Sequence, residues 1–316
     1  MSQHPSEAVP RNKPQTTGLP QLPADSELIV NAAGEIYHLS LAPGEAADRV
    51  ILVGDPHRVD RVAARFDTIE VERSHREFRT ATGLYRGVRM SVISTGIGTD
   101  NIDIVLNELD ALFNIDFSIR QPRPETHPLR LLRLGTCGGI QPEAVPGTLI
   151  YSAAAIGGDN LLRFYQPAHT TDAAEALQAD WERFCAATGL ALPGYAAVAD
   201  PALSARAAAQ PDTFLSGITF TAPGFYGPQG RSLGRVPLAY PGLPERLAAF
   251  RSGGWPLANF EMETAAIFAL GGAMGHRCGA VSVVLANRAL GQFAPDPAAI
   301  VERLIDAGLD LMYRWE

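Results

Sequence analysis

Five short segments of this 316-residue chain carry residues whose types and spacing could do chemistry. The first, Val53-Gly54-Asp55-Pro56-His57-Arg58, closes an apolar run. A glycine there lets a ligand approach the backbone, and the N–H groups of a following helix attract an anion. Arg58 would add charge in the first turn, although a plain strand–turn–helix junction capped by Asp55 explains the same residues. The second, Ser94-Thr95-Gly96-Ile97-Gly98-Thr99-Asp100-Asn101, is again strand, glycine-rich turn and helix. It lacks the third glycine of a dinucleotide fingerprint, so tight packing of a turn is the simpler reading.

The third segment, Leu132-Arg133-Leu134-Gly135-Thr136-Cys137, sets an arginine inside an apolar strand. A charge there is costly unless it is paired or holds an anion, and the residues leave both readings open. Thr136 offers a hydroxyl where the chain would leave the strand. Cys137 has no base near it in sequence and reads as packing. The fourth, Asn259-Phe260-Glu261-Met262-Glu263-Thr264, places two carboxylates at the start of an apolar helix. At least one should bind hydroxyls or a cation, while either could complement the helix dipole instead. The fifth, Thr221 to Arg231, is a glycine-proline loop bearing Phe225, Tyr226, Gln229 and Arg231. That mixture suits stacking and hydrogen bonding to a planar heterocycle, or an ordinary exposed loop.

The elements that must position these segments follow from periodicity. Short β-rich runs occur at Val50–Val53, Val88–Ile93, Leu131–Leu134, Gly147–Ser152 and Ala280–Leu285. Helical periodicity covers Arg58–Phe66, Asn101–Phe113, Ala173–Thr188, Phe260–Gly275 and Pro297–Arg314. Strands alternating with helices predict an α/β fold with a largely parallel or mixed sheet. Residues 1–27 are proline-rich and apolar-poor and predict a disordered tail, leaving one domain over 28–316. Residues 116–130 read as a polar, proline-bearing surface insertion.

Composition excludes several classes. The chain is 46% hydrophobic, enough for a sizeable core, yet it has no apolar stretch long enough to span a bilayer, and its first 25 residues lack the apolar run expected of a secretory leader. Its net charge of −8 argues against nucleic acid as the main partner. Three separated cysteines make neither a disulfide scaffold nor a metal site, and predict a reducing cytoplasm. Lys13 is the one lysine among 26 basic residues. A Schiff-base enzyme and a GxxxxGK[ST] phosphate loop are therefore not expected, and any phosphate must be held by arginines and backbone amides.

In order, YHLSL, GDPHRVDRVA, SHREF, STGIG, LRLGTCGGIQP, GFYGPQGR, NFEMETAAIFAL and VLANR run from Tyr37 to Arg288. Together they resemble the uridine phosphorylase branch of the nucleoside phosphorylase-I family. The resemblance implies a three-layer α/β/α sandwich around a mixed sheet. It implies a pentosyltransferase that converts uridine and phosphate to uracil and ribose 1-phosphate, with phosphate as co-substrate and no cofactor. Gly54, Arg58, Arg133 and Thr136 match its phosphate positions. Arg76 and His38 match residues donated across a subunit boundary, to phosphate and to the ribose 5′-hydroxyl, which implies a homo-oligomer, a dimer or a trimer of dimers. Met262 and Glu263 match the ribose pair, Gln229 and Arg231 the uracil readers, and Phe225 and Phe260 the residues flanking the base. Arg133, Thr136, Arg231 and Glu263 would be the catalytic set. Asn101 replaces the serine that, with the position of Glu77, binds a monovalent cation in some relatives, so no cation is expected. Asn287 stands where purine-specific relatives have a catalytic aspartate, which favours a pyrimidine. The alternatives are a purine nucleoside phosphorylase, a nucleosidase using water, and a non-catalytic nucleoside sensor.

Overall fold

The computed structural model describes residues 24–166 and 171–316. The predicted tail therefore lies, up to residue 23, outside the described residues. Twelve strands form one mixed sheet: β1 Arg49–Val53, β2 Thr68–His75, β3 Phe78–Tyr85, β4 Val88–Ser94, β5 Arg130–Gly139, β6 Leu149–Gly157, β7 Tyr195–Val198, β8 Phe214–Thr221, β9 Arg251–Ser252, β10 Trp255–Glu261, β11 Arg277–Asn287 and β12 Gln292–Phe293. Their main order is β9-β10-β8-β6-β11-β5-β1-β4-β3-β2, with β7 on β6 and β12 on β11. Among the described residues seven α-helices accompany them: α1 Pro56–Ala63, α2 Thr99–Asn114, α3 Asp172–Thr188, α4 Pro201–Ala208, α5 Leu243–Leu247, α6 Thr264–Ala273 and α7 Pro297–Tyr313.

Strands β4, β1, β5 and β11 run parallel, so their carboxyl ends converge on one edge. β5 is unusually long. Its first half pairs with β1, through Leu52 opposite Arg133, and its last two residues pair antiparallel with β10, Gly138 with Phe260 and Gly139 with Asn259. That last pairing closes β5, β11, β6, β8 and β10 into a ring. The chain thus stays in the sheet at Thr136 instead of leaving it there as the sequence pattern implied.

Local chemistry sets the helix starts. Asp55-Pro56, Asp200-Pro201 and Asp296-Pro297 each open a helix, the aspartate accepting from a first-turn N–H and the proline occupying a position that needs no donor. α3 ends at Gly189, whose φ of +63° glycine adopts without strain. α2 buries Ile102, Val105, Leu106, Leu109 and Leu112, the predicted stripe, each worth about 1.5–3 kcal/mol over exposure. α7 lies against β5 so closely that a Cβ on Gly308 would come within 2.3 Å of Leu134 Cδ2. The predicted helix over Phe260–Gly275 starts only at Thr264, because Phe260 and Glu261 complete β10. Within the predicted insertion, Asp116 pairs with the exposed Gln121, and Leu129 is already buried. No helix among the described residues is long and apolar enough to cross a membrane.

Candidate active site

The carboxyl ends of β1, β4 and β5 and the β10–α6 junction enclose a cavity of about 710 Å³. Ten of the twelve residues singled out from the sequence line it: Gly54, Arg58, Arg133, Thr136, Phe225, Gln229, Arg231, Phe260, Met262 and Glu263. They come from four separate stretches of chain, joined only by the sheet.

Two buried guanidiniums occupy one end. Arg58, in the first turn of α1, donates through Nη1 to the carbonyl of Leu134 at 3.1 Å, and its Nε has no partner. Burial, then the charge of Arg133, lowers its pKa to about 10. Arg133 leans back along β5 over Gly135, where a Cβ would stand 1.8 Å from Nη1. It pairs with Glu263 Oε2 through Nη2 and with Glu261 Oε2 at 3.1 Å through Nε. Burial acts to lower its pKa, but Glu263 and Glu261 outweigh that and raise it. Its Nη1 has no partner, and its Nε, although at ion-pair distance from Glu261, makes no hydrogen bond. The two readings of this arginine, ion pair or anion holder, are therefore not exclusive. It is paired on one side and keeps a free N–H beside Arg58, an arrangement suited to a multivalent anion.

The two carboxylates divide their work. Glu261 accepts from the backbone N–H of Glu263 at 3.0 Å, that of Thr264 at 2.9 Å and the Thr221 hydroxyl at 2.5 Å, so it holds the amino end of α6. Burial pushes its carboxyl up, against the pull of Arg133. Glu263 faces the cavity and accepts at Oε1 from Gly98 N–H at 2.8 Å. The glycine turn after β4 thus does more than pack: Gly98, at φ +99°, aims its amide into the site. Gly54 sits where a Cβ would lie 3.3 Å from the Gly96 carbonyl, so β1 and β4 converge there.

At the other end, Gln229 is buried while Phe225 is half exposed at the mouth. Arg231 lies over the Phe225 ring, 3.9 Å from its centroid, and donates to Gln229 Oε1 at 2.5 Å and to the Phe225 carbonyl at 2.7 Å. Burial and then Arg288 lower its pKa. Arg288 donates to the Gln229 carbonyl at 3.1 Å and so fixes the loop, a role the sequence reading missed although VLANR was noticed. Phe260 is buried edge-on to Phe220. Cys137, Leu285, Ala286 and Phe293 add an apolar wall that no motif announced. Burial raises the Cys137 thiol, as befits a packing residue.

His38 and Arg76 lie outside the cavity. His38 pairs through Nδ1 with Glu108 at 2.6 Å, and Arg76 donates to the Tyr37 hydroxyl at 3.3 Å from the tip of the β2–β3 hairpin. Tyr37 and His75 bring the two into one patch. Asn287 also stands outside the cavity lining. Its Nδ2 donates to the carbonyls of Gln141 and Ala144, at 2.9 and 2.8 Å. Glu77 and Asn101 both lie at the cavity beside Gly96. No group of three metal-ligating side chains occurs among the described residues.

Comparison with known proteins agrees with this architecture. Uridine phosphorylase of Thermococcus kodakarensis is 30% identical over 90% of this chain and 88% of its own. The Escherichia coli uridine phosphorylase is 29% identical over 80% and 87%. The crystal structure of a Trypanosoma brucei nucleoside phosphorylase that shows uridine phosphorylase activity superposes with a TM-score of 0.82, at 32% identity, over 91% of this chain and all of that one. A family model described as the phosphorylase superfamily matches residues 48–306, a span that holds the whole cavity lining, and the chain belongs to that superfamily.

Proposed function

We propose that this chain is a uridine phosphorylase, transferring ribose from uracil to inorganic phosphate. The observation that carries the reading is the pair of buried arginines with unpartnered N–H groups beside the inward-facing Glu263. Phosphate held by Arg58, Arg133, Thr136 and the backbone at Gly54 would lie under the ribose. Glu263 and Met262 hold the sugar, and Gln229 with Arg231 reads the base between Phe225 and Phe260. A phosphate oxygen forms the new bond to C1′ as the C1′–N1 bond breaks through an oxocarbenium-like state. The electron pair leaves on uracil, where Arg231 and Gln229 stabilise the developing negative charge, and solvent supplies the proton. No protein nucleophile or cofactor is called for.

His38 and Arg76 serve, in this reading, a neighbouring subunit's site, so the active unit is at least a symmetric dimer. The folded unit is taken as residues 28–316 after a 1–27 tail, and the compartment as the cytoplasm. The relatives named above, all uridine phosphorylases or bearing that activity, support the base assignment. So does Asn287, whose amide is committed to two carbonyls and offers no acid to a departing purine. Uracil release from uridine, followed with and without phosphate, tests the proposal. Release only with phosphate is expected. Release without it indicates a nucleosidase, no release in either condition a sensor, and preferred inosine or adenosine cleavage a purine enzyme.

A further inference from the structure

Glu261 has no task in the reaction as described, yet it touches the residue that matters most to it. We infer that Glu261 is a positioning residue that fixes the guanidinium of Arg133 for phosphate. The inference rests on the phosphorylase reading above.

Arg133 has two carboxylate partners, and only one of them is permanent. Glu263 faces the cavity and must turn its oxygens to the ribose hydroxyls during turnover. Glu261 cannot turn. Three protein donors hold its carboxylate: two backbone N–H groups at the start of α6 and the Thr221 hydroxyl. Its position follows from the fold, since β10 pairs antiparallel with the end of β5 and sets Glu261 beside the Arg133–Cys137 stretch. The contact it makes is an ion pair at Nε, 3.1 Å from Oε2 but without hydrogen-bond alignment, and Nη1 has no partner at all. Glu261 therefore holds Arg133 from behind, while Nη1 and Nη2 are left to phosphate and Glu263. A guanidinium is planar and rigid, so a fixed carboxylate beside Nε biases the direction of both Nη groups by charge attraction. Without it, loss of Glu263 to the ribose would leave a buried arginine free to swing across the cavity.

The sign of one kinetic constant separates this role from two plainer ones. Were Glu261 only a negative charge near the anion site, its removal would improve phosphate binding. Were it only a cap for α6, its removal would lower Tm and leave substrate constants alone. Positioning predicts that Glu261→Gln raises the phosphate KM about tenfold or more, the worth of one charge-assisted contact, with the uridine KM within about threefold of wild type. Thr221→Val takes a donor from the same carboxylate and leaves its charge, so it should lower Tm and keep the phosphate KM within about twofold.

The assay is uridine phosphorolysis under varied phosphate, with Tm of each protein measured alongside. Inactive wild type would defeat the phosphorylase reading itself. Active wild type with an unchanged or lowered phosphate KM in folded Glu261→Gln would overturn the positioning role alone. An equal rise in Thr221→Val would also overturn it. Glu261→Asp, which keeps the charge but withdraws it by one methylene, should show an intermediate rise and stands in should the glutamine variant not fold. Failure of both variants to fold would make Glu261 a fold determinant and end the inference.

Discussion

Gly135→Ala is the sharpest test of how the fold aims Arg133, the arginine proposed to hold phosphate. Gly135 lies in β5 with a φ outside the positive range, so alanine fits the backbone there. The obstacle is the side chain above it. A Cβ would stand 1.8 Å from Arg133 Nη1 and 2.6 Å from Cζ. The guanidinium must retreat by roughly 1.5–2 Å before ordinary contact returns. It cannot retreat while keeping both carboxylates and its place beside Arg58. A misplacement of about 1 Å at a positioning group already costs about 100-fold, or about 2.7 kcal/mol, in transition-state stabilisation. Gly135→Ala should therefore lower kcat/KM for uridine phosphorolysis by at least about 100-fold. The charge count is unchanged, so stability should suffer less than in Arg133→Ala, which leaves two buried carboxylates unpaired at about 3–5 kcal/mol. Kinetics of wild type, both single variants and the double variant form a cycle. If Gly135 acts through Arg133, adding Gly135→Ala to Arg133→Ala changes nothing further. Wild-type kinetics in folded Gly135→Ala, or fully additive losses, would refute the reasoning.

Three further outcomes are expected. Arg76→Ala and Arg133→Ala subunits, each inactive alone, should recover activity when mixed under exchange, because one site in each mixed dimer keeps both arginines; no recovery after confirmed exchange, or an active monomer, contradicts the shared site. Uridine should be cleaved at least about 100-fold better than cytidine or adenosine in kcat/KM, since cytosine turns an acceptor facing Arg231 into a donor, and Gln229→Ala should narrow the margin over cytidine; comparable adenosine or inosine turnover would reassign the base. Asn287→Asp should gain no purine cleavage and should lose about 2 kcal/mol or more in denaturant unfolding, because a carboxylate would then face the two carbonyls that the amide now serves; a stable variant that cleaves inosine would contradict this.

The parts of the site legible in the sequence were those that break a local rule. An arginine among leucines in β5 stands out because charge does not belong in an apolar strand. The glycine turn after β4 and the aspartate-proline starts follow from backbone chemistry confined to a few residues. What stayed hidden depends on pairings over long sequence distances. Phe260 and Glu261 read as the opening of an apolar helix, and pairing with β8, 40 residues earlier, and of Phe260 with Gly138 of β5, makes them strand. The division between Glu261 and Glu263 depends on which oxygen finds the amino end of α6 and which finds the cavity. Strand β2 went unread because it is polar and largely exposed along its length. Gly135 carried no signal, since its role is to be absent beneath a side chain two positions away.

Closure of β5 onto β10 also governs how the chain meets other chains. A sheet that ends in an unpaired strand offers its backbone as a template for strand addition and, in time, for fibre growth. Here the half of the sheet that carries the site closes on itself, and the strands appended to it are short, β9 and β12 of two residues each and β7 of four. The long open edge is β2, at the far side, and it is guarded. Glu70, Glu72 and Arg73 stud it, with Glu70 paired to Arg89 and Arg73 to Glu45. A strand docking there would have to displace those charges. The ring thus places the proposed active site where only short strands are open, and leaves the long exposed edge to electrostatic repulsion.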